Sequence, residues 1–192
     1  MPRLKLTARE RYAFTFEIPV RTTDLNYGGH LGNDRLLSLA HEARVAWLAS
    51  HGWSELDCAG ASLIMSDAEV VYQGEAFAGD RLEIEVALGE AARTGFRFFY
   101  RITRHGDQAL IAVAETGMAC FDYEARRVAP LPQEVRDSAF FRDADNRDGL
   151  LQRGPAGGAL DAHGFVHEWR GRRPAAFDEH VAVGERLLGN RR

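Results

Sequence analysis

The chain has 192 residues, 45% hydrophobic and 27% charged, with a formal net charge of −4. Those values suit one globular domain with an appendage and supply no basic stripe for nucleic acid. No apolar run approaches the ~18 residues of a membrane span, the N-terminus lacks a signal-peptide core, and the two cysteines, Cys58 and Cys120, have no Cys-x-x-Cys spacing. A cytoplasmic protein with two buried free thiols is expected.

Residues 12–20 alternate, with Phe14, Phe16 and Ile18 on one face and Thr15 and Glu17 on the other, which predicts a half-buried strand. A polar, glycine-rich run follows Pro19. Asn33 or Asp34 can then cap a helix reaching Ser50, with Gly52 placed to stop it. Leu36, Leu37, Leu39, Ala40, Ala43, Val45, Ala46, Trp47 and Leu48 occupy most of its circumference, so it should be buried on several sides. Residues 62–73, 81–88, 96–104 and 109–123 read as further strands, and His105-Gly-Asp-Gln108 has hairpin chemistry. The order β-α-β-β-β-β predicts an α+β fold, an antiparallel five-stranded sheet wrapped around one long central helix.

The composition shifts after Pro132. Residues 133–192 hold 10 Arg, 10 Asp plus Glu and 8 Gly, which assigns the domain to residues 1–132 and the remainder to a largely irregular Gly/Arg-rich tail. Residues 179–188 are its one helix-like stretch. His163 and His167 have a spacing that can bind zinc on a helix, but Gly164 intervenes and no third ligand is near, so no metal is expected.

The run from Arg21 to Asp34, RTTDLNYGGHLGND, concentrates the chemistry. Asp24, Asn26 and His30 can exchange protons or hydrogen-bond and are the candidate catalytic residues. Tyr27, Gly29 and Asn33, with Asp67 from the next strand, are candidate substrate-binding residues. Glycines let the backbone turn sharply or approach a ligand, and the helix start presents unpaired N–H groups to an oxygen gaining negative charge. A plain turn with a helix cap would use the same residue types.

This run resembles the motif of hotdog-fold acyl-thioester hydrolases of the 4-hydroxybenzoyl-CoA thioesterase type. There Asp-x-Asp-x-x-Gly-His-x-Asn-Asn leads into the central helix. Asp24, Gly29, His30 and Asn33 fall on that pattern, and Glu42-Ala43-Arg44 resembles a run later in the same helix. The resemblance implies hydrolysis of an acyl-CoA or acyl carrier protein thioester, with no cofactor beyond the coenzyme A brought by the substrate. It also implies a homodimer or higher homo-oligomer, since a single sheet leaves an open edge and an incompletely covered site. Arg93, Arg97, Arg101 and Arg104 are available for coenzyme A phosphates.

Two positions depart from the pattern. Asn26 stands where the family's usual catalytic carboxylate would be, and an amide cannot act as a general base. Gly32 stands where Asn is frequent. Asp24 is then the nearest carboxylate to serve as base. Two further readings follow: a noncatalytic acyl-thioester-binding hotdog protein, and an enoyl-thioester hydratase, whose Asp-x-Asn-x-x-His motif the chain approaches with its histidine one residue late.

Overall fold

The computed structural model describes residues 4–89 and 91–138. Strand β1 (Phe14–Pro19) is followed by helix α1 (Asn33–Ser50), then β2 (Ser62–Tyr72), β3 (Arg81–Gly89), β4 (Gly95–Arg104) and β5 (Leu110–Asp122). A two-residue strand β6 (Arg127–Val128) and a short helix α2 (Gln133–Asp137) complete the order. The five long strands pair antiparallel in the order β1-β3-β4-β5-β2, and β6 adds to β5. The short sixth strand was not anticipated, because two residues are too few to show alternation.

The pleat divides the sheet into two faces. Leu82, Ile84 and Val86 of β3, Phe96, Phe98, Tyr100 and Ile102 of β4, and Ala112, Ala114, Met118 and Cys120 of β5 join the core with Leu36, Leu39, Ala40, Ala43, Trp47 and Leu48 of α1. Glu17, Glu83, Glu85, Arg97, Arg101 and Glu115 alternate with them on the opposite face. There they pair across strands, as in Arg101–Glu85 and Arg81–Glu17.

Helix α1 lies along the core face. Its buried stripe is narrower than its composition suggested: Val45 remains 43% exposed, and Leu37 and Ala46 are half-buried. The apolar surplus therefore faces away from the protein's own sheet.

Both cysteines are buried free thiols. Burial pushes Cys58 up to about 12 and Cys120 up to about 11, which disfavours the thiolate form of both.

The expected boundary at Pro132 is corrected. Residues Gln133–Asp137 are helical, and Val135 is fully buried in the core cluster beside Leu131. A single apolar side chain in a polar stretch carries no periodic signal, so the sequence concealed this docking. Residues 139–192, with the His163/His167 pair and the helix expected over 179–188, lie outside the described residues.

Candidate active site

The glycine-rich run forms a tight loop at one end of the sheet, anchored on several sides. Val20 N–H donates to Asp80 O (2.8 Å) and Leu31 N–H to Ala76 O (2.8 Å), which ties the loop to the β2–β3 connection. A 3-10 turn covers Thr22–Asp24. Leu25 and Leu31 then form an antiparallel bridge, extended by Asn26 N–H to His30 O (2.9 Å) and Gly32 N–H to Asp24 O (2.9 Å). Gly29 closes the bend at φ +78°, a conformation that favours glycine.

Inside that bend the side chain of Asn26 is fixed. Its Oδ1 accepts the Gly28 N–H at 2.8 Å, an Asx turn. His30 lies opposite. A Cβ on Gly28 would sit 3.0 Å from His30 Nε2 and 3.1 Å from Asn26 Oδ1. The bare Gly28 backbone thus lies close against both polar side chains.

Asp24 is placed differently from the expectation. Its side chain is 4% exposed. Oδ2 accepts Arg21 N–H (2.9 Å) and Nε–H (3.0 Å), and Oδ1 accepts Nη2–H (3.0 Å). The Arg21 hydrogen bonds hold the Asp24 carboxyl below the usual carboxylate range. A carboxylate so stabilised is a poor proton acceptor with no open face. It fastens the loop rather than serving as its base.

Helix α1 begins at Asn33 with Gly32 as N-cap and no side-chain cap. This corrects the assignment of Asn33 or Asp34 as cap. Asn33 instead contributes its carbonyl, which accepts the Tyr72 hydroxyl at 2.9 Å, bringing the end of β2 onto the first turn. No capping side chain takes up the N–H groups of the first turn. Tyr27 is wholly exposed at the loop tip.

Asp67 is not brought to this site. A register shift between Met65 and Asp67 places it opposite Gly117, whose missing side chain leaves room for it. There it accepts from Arg97 Nη2 at 2.5 Å, and the same nitrogen pairs with Glu115 at 2.8 Å. These groups lie on the sheet face opposite α1. Of the four arginines considered for coenzyme A, Arg97, Arg101 and Arg104 are committed to carboxylates. Arg93 lies in the β3–β4 connection, at the opposite end of β4 from the loop.

Around Glu42, the flanking helix residues Arg44 and His41 both pair with Glu55. Arg44, buried, donates to Glu55 (2.7 Å) and to the Tyr100 hydroxyl (3.3 Å), while His41 Nε2 meets Glu55 at 2.9 Å. Among the described residues, Glu17, Glu83 and His105 have metal-ligand chemistry, their atoms within 4.8 Å of one another. These atoms are already engaged: His105 with Glu83 (2.5 Å) and Glu17 with Arg81 (2.7 Å).

Sequence reasoning assigned no role to Arg21, Gly28 or Tyr72. The Arg-x-x-Asp spacing was the available signal for the first. Nothing in the sequence signalled Tyr72, which arrives from a strand thirty-nine residues beyond Asn33.

A five-stranded antiparallel sheet in this order, packed on one long helix whose N-terminus is fed by a glycine-rich loop, defines a hotdog fold. Residues 20–138 match the family described as the Thioesterase-like superfamily, and the chain belongs to it. Over 129 residues, covering 65% of this chain and 93% of the relative, it is 34% identical to a 1,4-dihydroxy-2-naphthoyl-CoA hydrolase of Synechococcus elongatus. The structure is similar to that of a 1,4-dihydroxy-2-naphthoyl-CoA thioesterase from Synechocystis, with TM-score 0.58 and 29% identity, covering 64% of this chain and 92% of that one. A putative thioesterase from Pseudomonas aeruginosa shares the fold at TM-score 0.60 and 22% identity, covering 66% of this chain and 97% of that one.

Proposed function

We propose that the protein hydrolyses acyl-CoA thioesters, with aromatic acyl groups foremost among its substrates. The carrying observation is the placement of Asn26 and His30 around Gly28 on a loop that leads directly into the uncapped first turn of α1. Family membership and relatives named as naphthoyl-CoA hydrolases support the same reading. Asn26 Nδ2 and His30 hold the attacking water. First-turn amides stabilise the oxyanion, and Asp24 positions the loop through Arg21. Coenzyme A enters with the substrate, no metal or redox cofactor takes part, and the cytoplasm is the site of action.

Release of free thiol from a panel of aromatic and aliphatic acyl-CoA thioesters tests this. Wild type is expected to turn over, and His30→Ala to lose about 10²-fold in kcat/KM, the scale of a lost group that orients a reactant. Asn26 favours one second reading, a noncatalytic binder of acyl thioesters. Tight acyl-CoA binding without thiol release would establish the binder in place of the hydrolase.

The active assembly is a homodimer joined along β2. That strand is last in the sheet, eleven residues long, with Met65 43% and Tyr72 49% exposed. The other edge, β1, is short and ends in Pro19. Light scattering should give at least twice 21.4 kDa. A monomer at micromolar concentration would dismiss the dimer.

A further inference from the structure

Hydrolysis needs a group to take the proton of the attacking water. Asn26 cannot, and Asp24 is closed off by three hydrogen bonds from Arg21. A different carboxylate lies against the same loop. Asp34 follows Asn33 in the first turn of α1, with its side chain 71% exposed. Its nearest cation is Arg35 Nε at 3.6 Å, an exposed pair that constrains it little.

The placement of that carboxylate depends on Gly32. A Cβ at Gly32 would lie 2.6 Å from Asp34 Oδ1 and 3.4 Å from Asp24 O, the first so close that the flexible Asp34 carboxylate would have to swing away. Gly32 has φ −66° and ψ 139°, an extended conformation open to any residue. Backbone freedom therefore does not account for glycine here; the space does, and the Asp34 carboxylate occupies it. The two departures from the family pattern become one. Asn26 removes a carboxylate from the loop, and Gly32 admits another from the helix.

We infer that Asp34 is the general base of this thioesterase and that Gly32 is the residue that positions it. The inference rests on the hydrolase reading. The water oxygen bonds to the thioester carbonyl carbon while its proton passes to an Asp34 carboxylate oxygen, and the carbonyl electron pair moves to the oxygen held by the helix amides. When the intermediate collapses, the C–S bond breaks and the leaving sulfur takes the proton from Asp34, giving free acid and thiol.

Four proteins test it on an acyl-CoA that wild type hydrolyses: Asp34→Asn, Gly32→Ala, the double variant, and Asp34→Asn with Asn26→Asp. Asp34→Asn should lower kcat about 10²-fold with KM changed little. Gly32→Ala should do much the same by displacing the carboxylate, and the double variant should be no worse than Asp34→Asn alone, because both remove one interaction. Asn26→Asp should restore part of the lost turnover by returning a carboxylate to the loop. Circular dichroism melts confirm that each variant is folded. An Asp34→Asn enzyme within about threefold of wild type, far short of a general base's contribution, would overturn the assignment while leaving the hydrolase reading intact. Additive losses in the double variant would overturn the role of Gly32. A wild type that hydrolyses no member of the panel would defeat the hydrolase reading and this assignment together.

Discussion

The two ends of helix α1 are built on opposite plans. The C-terminal end is densely cross-linked by backbone and side-chain hydrogen bonds. Gly52, at φ +74°, closes a Schellman motif in which Gly52 N–H donates to Ala49 O and Trp53 N–H to Leu48 O, both at 3.0 Å. Trp47 packs edge-on against Phe98 (5.3 Å between centroids), with His51 and Trp53 beside it. Arg44, Glu55, His41, Tyr100 and Thr116 form one connected polar network below. At the N-terminal end, glycine replaces the cap, Asn26 keeps its Nδ2 unspent and Asp34 lies open to solvent. One end spends its hydrogen-bonding capacity on stability; the other keeps it for a ligand.

Substitutions that affect one end and spare the other test this contrast. Trp47→Ala should produce the largest change, a loss of about 3–5 kcal/mol in urea unfolding from the cavity left in the aromatic cluster. Its kcat per folded molecule should stay near that of wild type. A specific loss of kcat with full stability would show that the two ends are coupled.

Gly28→Ala should do the reverse. The added methyl would press on His30 Nε2 and Asn26 Oδ1, and a displaced catalytic pair should cost roughly tenfold or more in kcat. Thermal melting should move little, since the loop is exposed.

The smallest effect concerns acid. Asp24 and Glu55 both have carboxyls held below their ordinary range. For Asp24 the Arg21 hydrogen bonds dominate. For Glu55 burial pushes upward, and Arg44 and His41 overcome it. Folding therefore favours their ionised forms, so their stabilisation is complete above an unfolded carboxylate pKa of about 4. It is lost as pH falls through the lower folded values. Asp24→Asn should flatten this acid limb by no more than about 1 kcal/mol, because Arg21 is largely exposed. Urea midpoints measured from neutral pH down to about pH 2 follow it; an unchanged slope would mean that the Arg21 pair contributes nothing to folding.

The fold was legible where side chains repeat. Alternation located the five long strands to within about two residues, the usual uncertainty in element boundaries, and the dense apolar run located α1. The site was legible in its membership but not in its roles. Arg21 reaches Asp24 only because a 3-10 turn intervenes, and that turn has no periodicity to read. Asp67 faces away from the loop because of one bulge, which reverses a strand's facing without marking the composition. Gly32 stood out only as a departure from the family pattern, and its meaning lies in an atom two residues on. Such features depend on where the backbone goes, which spacing alone does not encode.

The strand order also sets a sequence of assembly. Strands β3, β4 and β5 are consecutive neighbours joined by short connections, so their pairing closes only small loops. β2 and β1 must join opposite edges of that meander, β2 pairing Ser62 with Phe121 and β1 pairing Phe14 with Val86 across long stretches of chain. Non-local closures of this kind come late. The reactive loop hangs between β1 and α1, and its anchors, Asp80 and Ala76, belong to the β2–β3 connection. Its geometry is therefore complete only when both late strands have docked, which makes catalytic competence the last property the folding chain acquires.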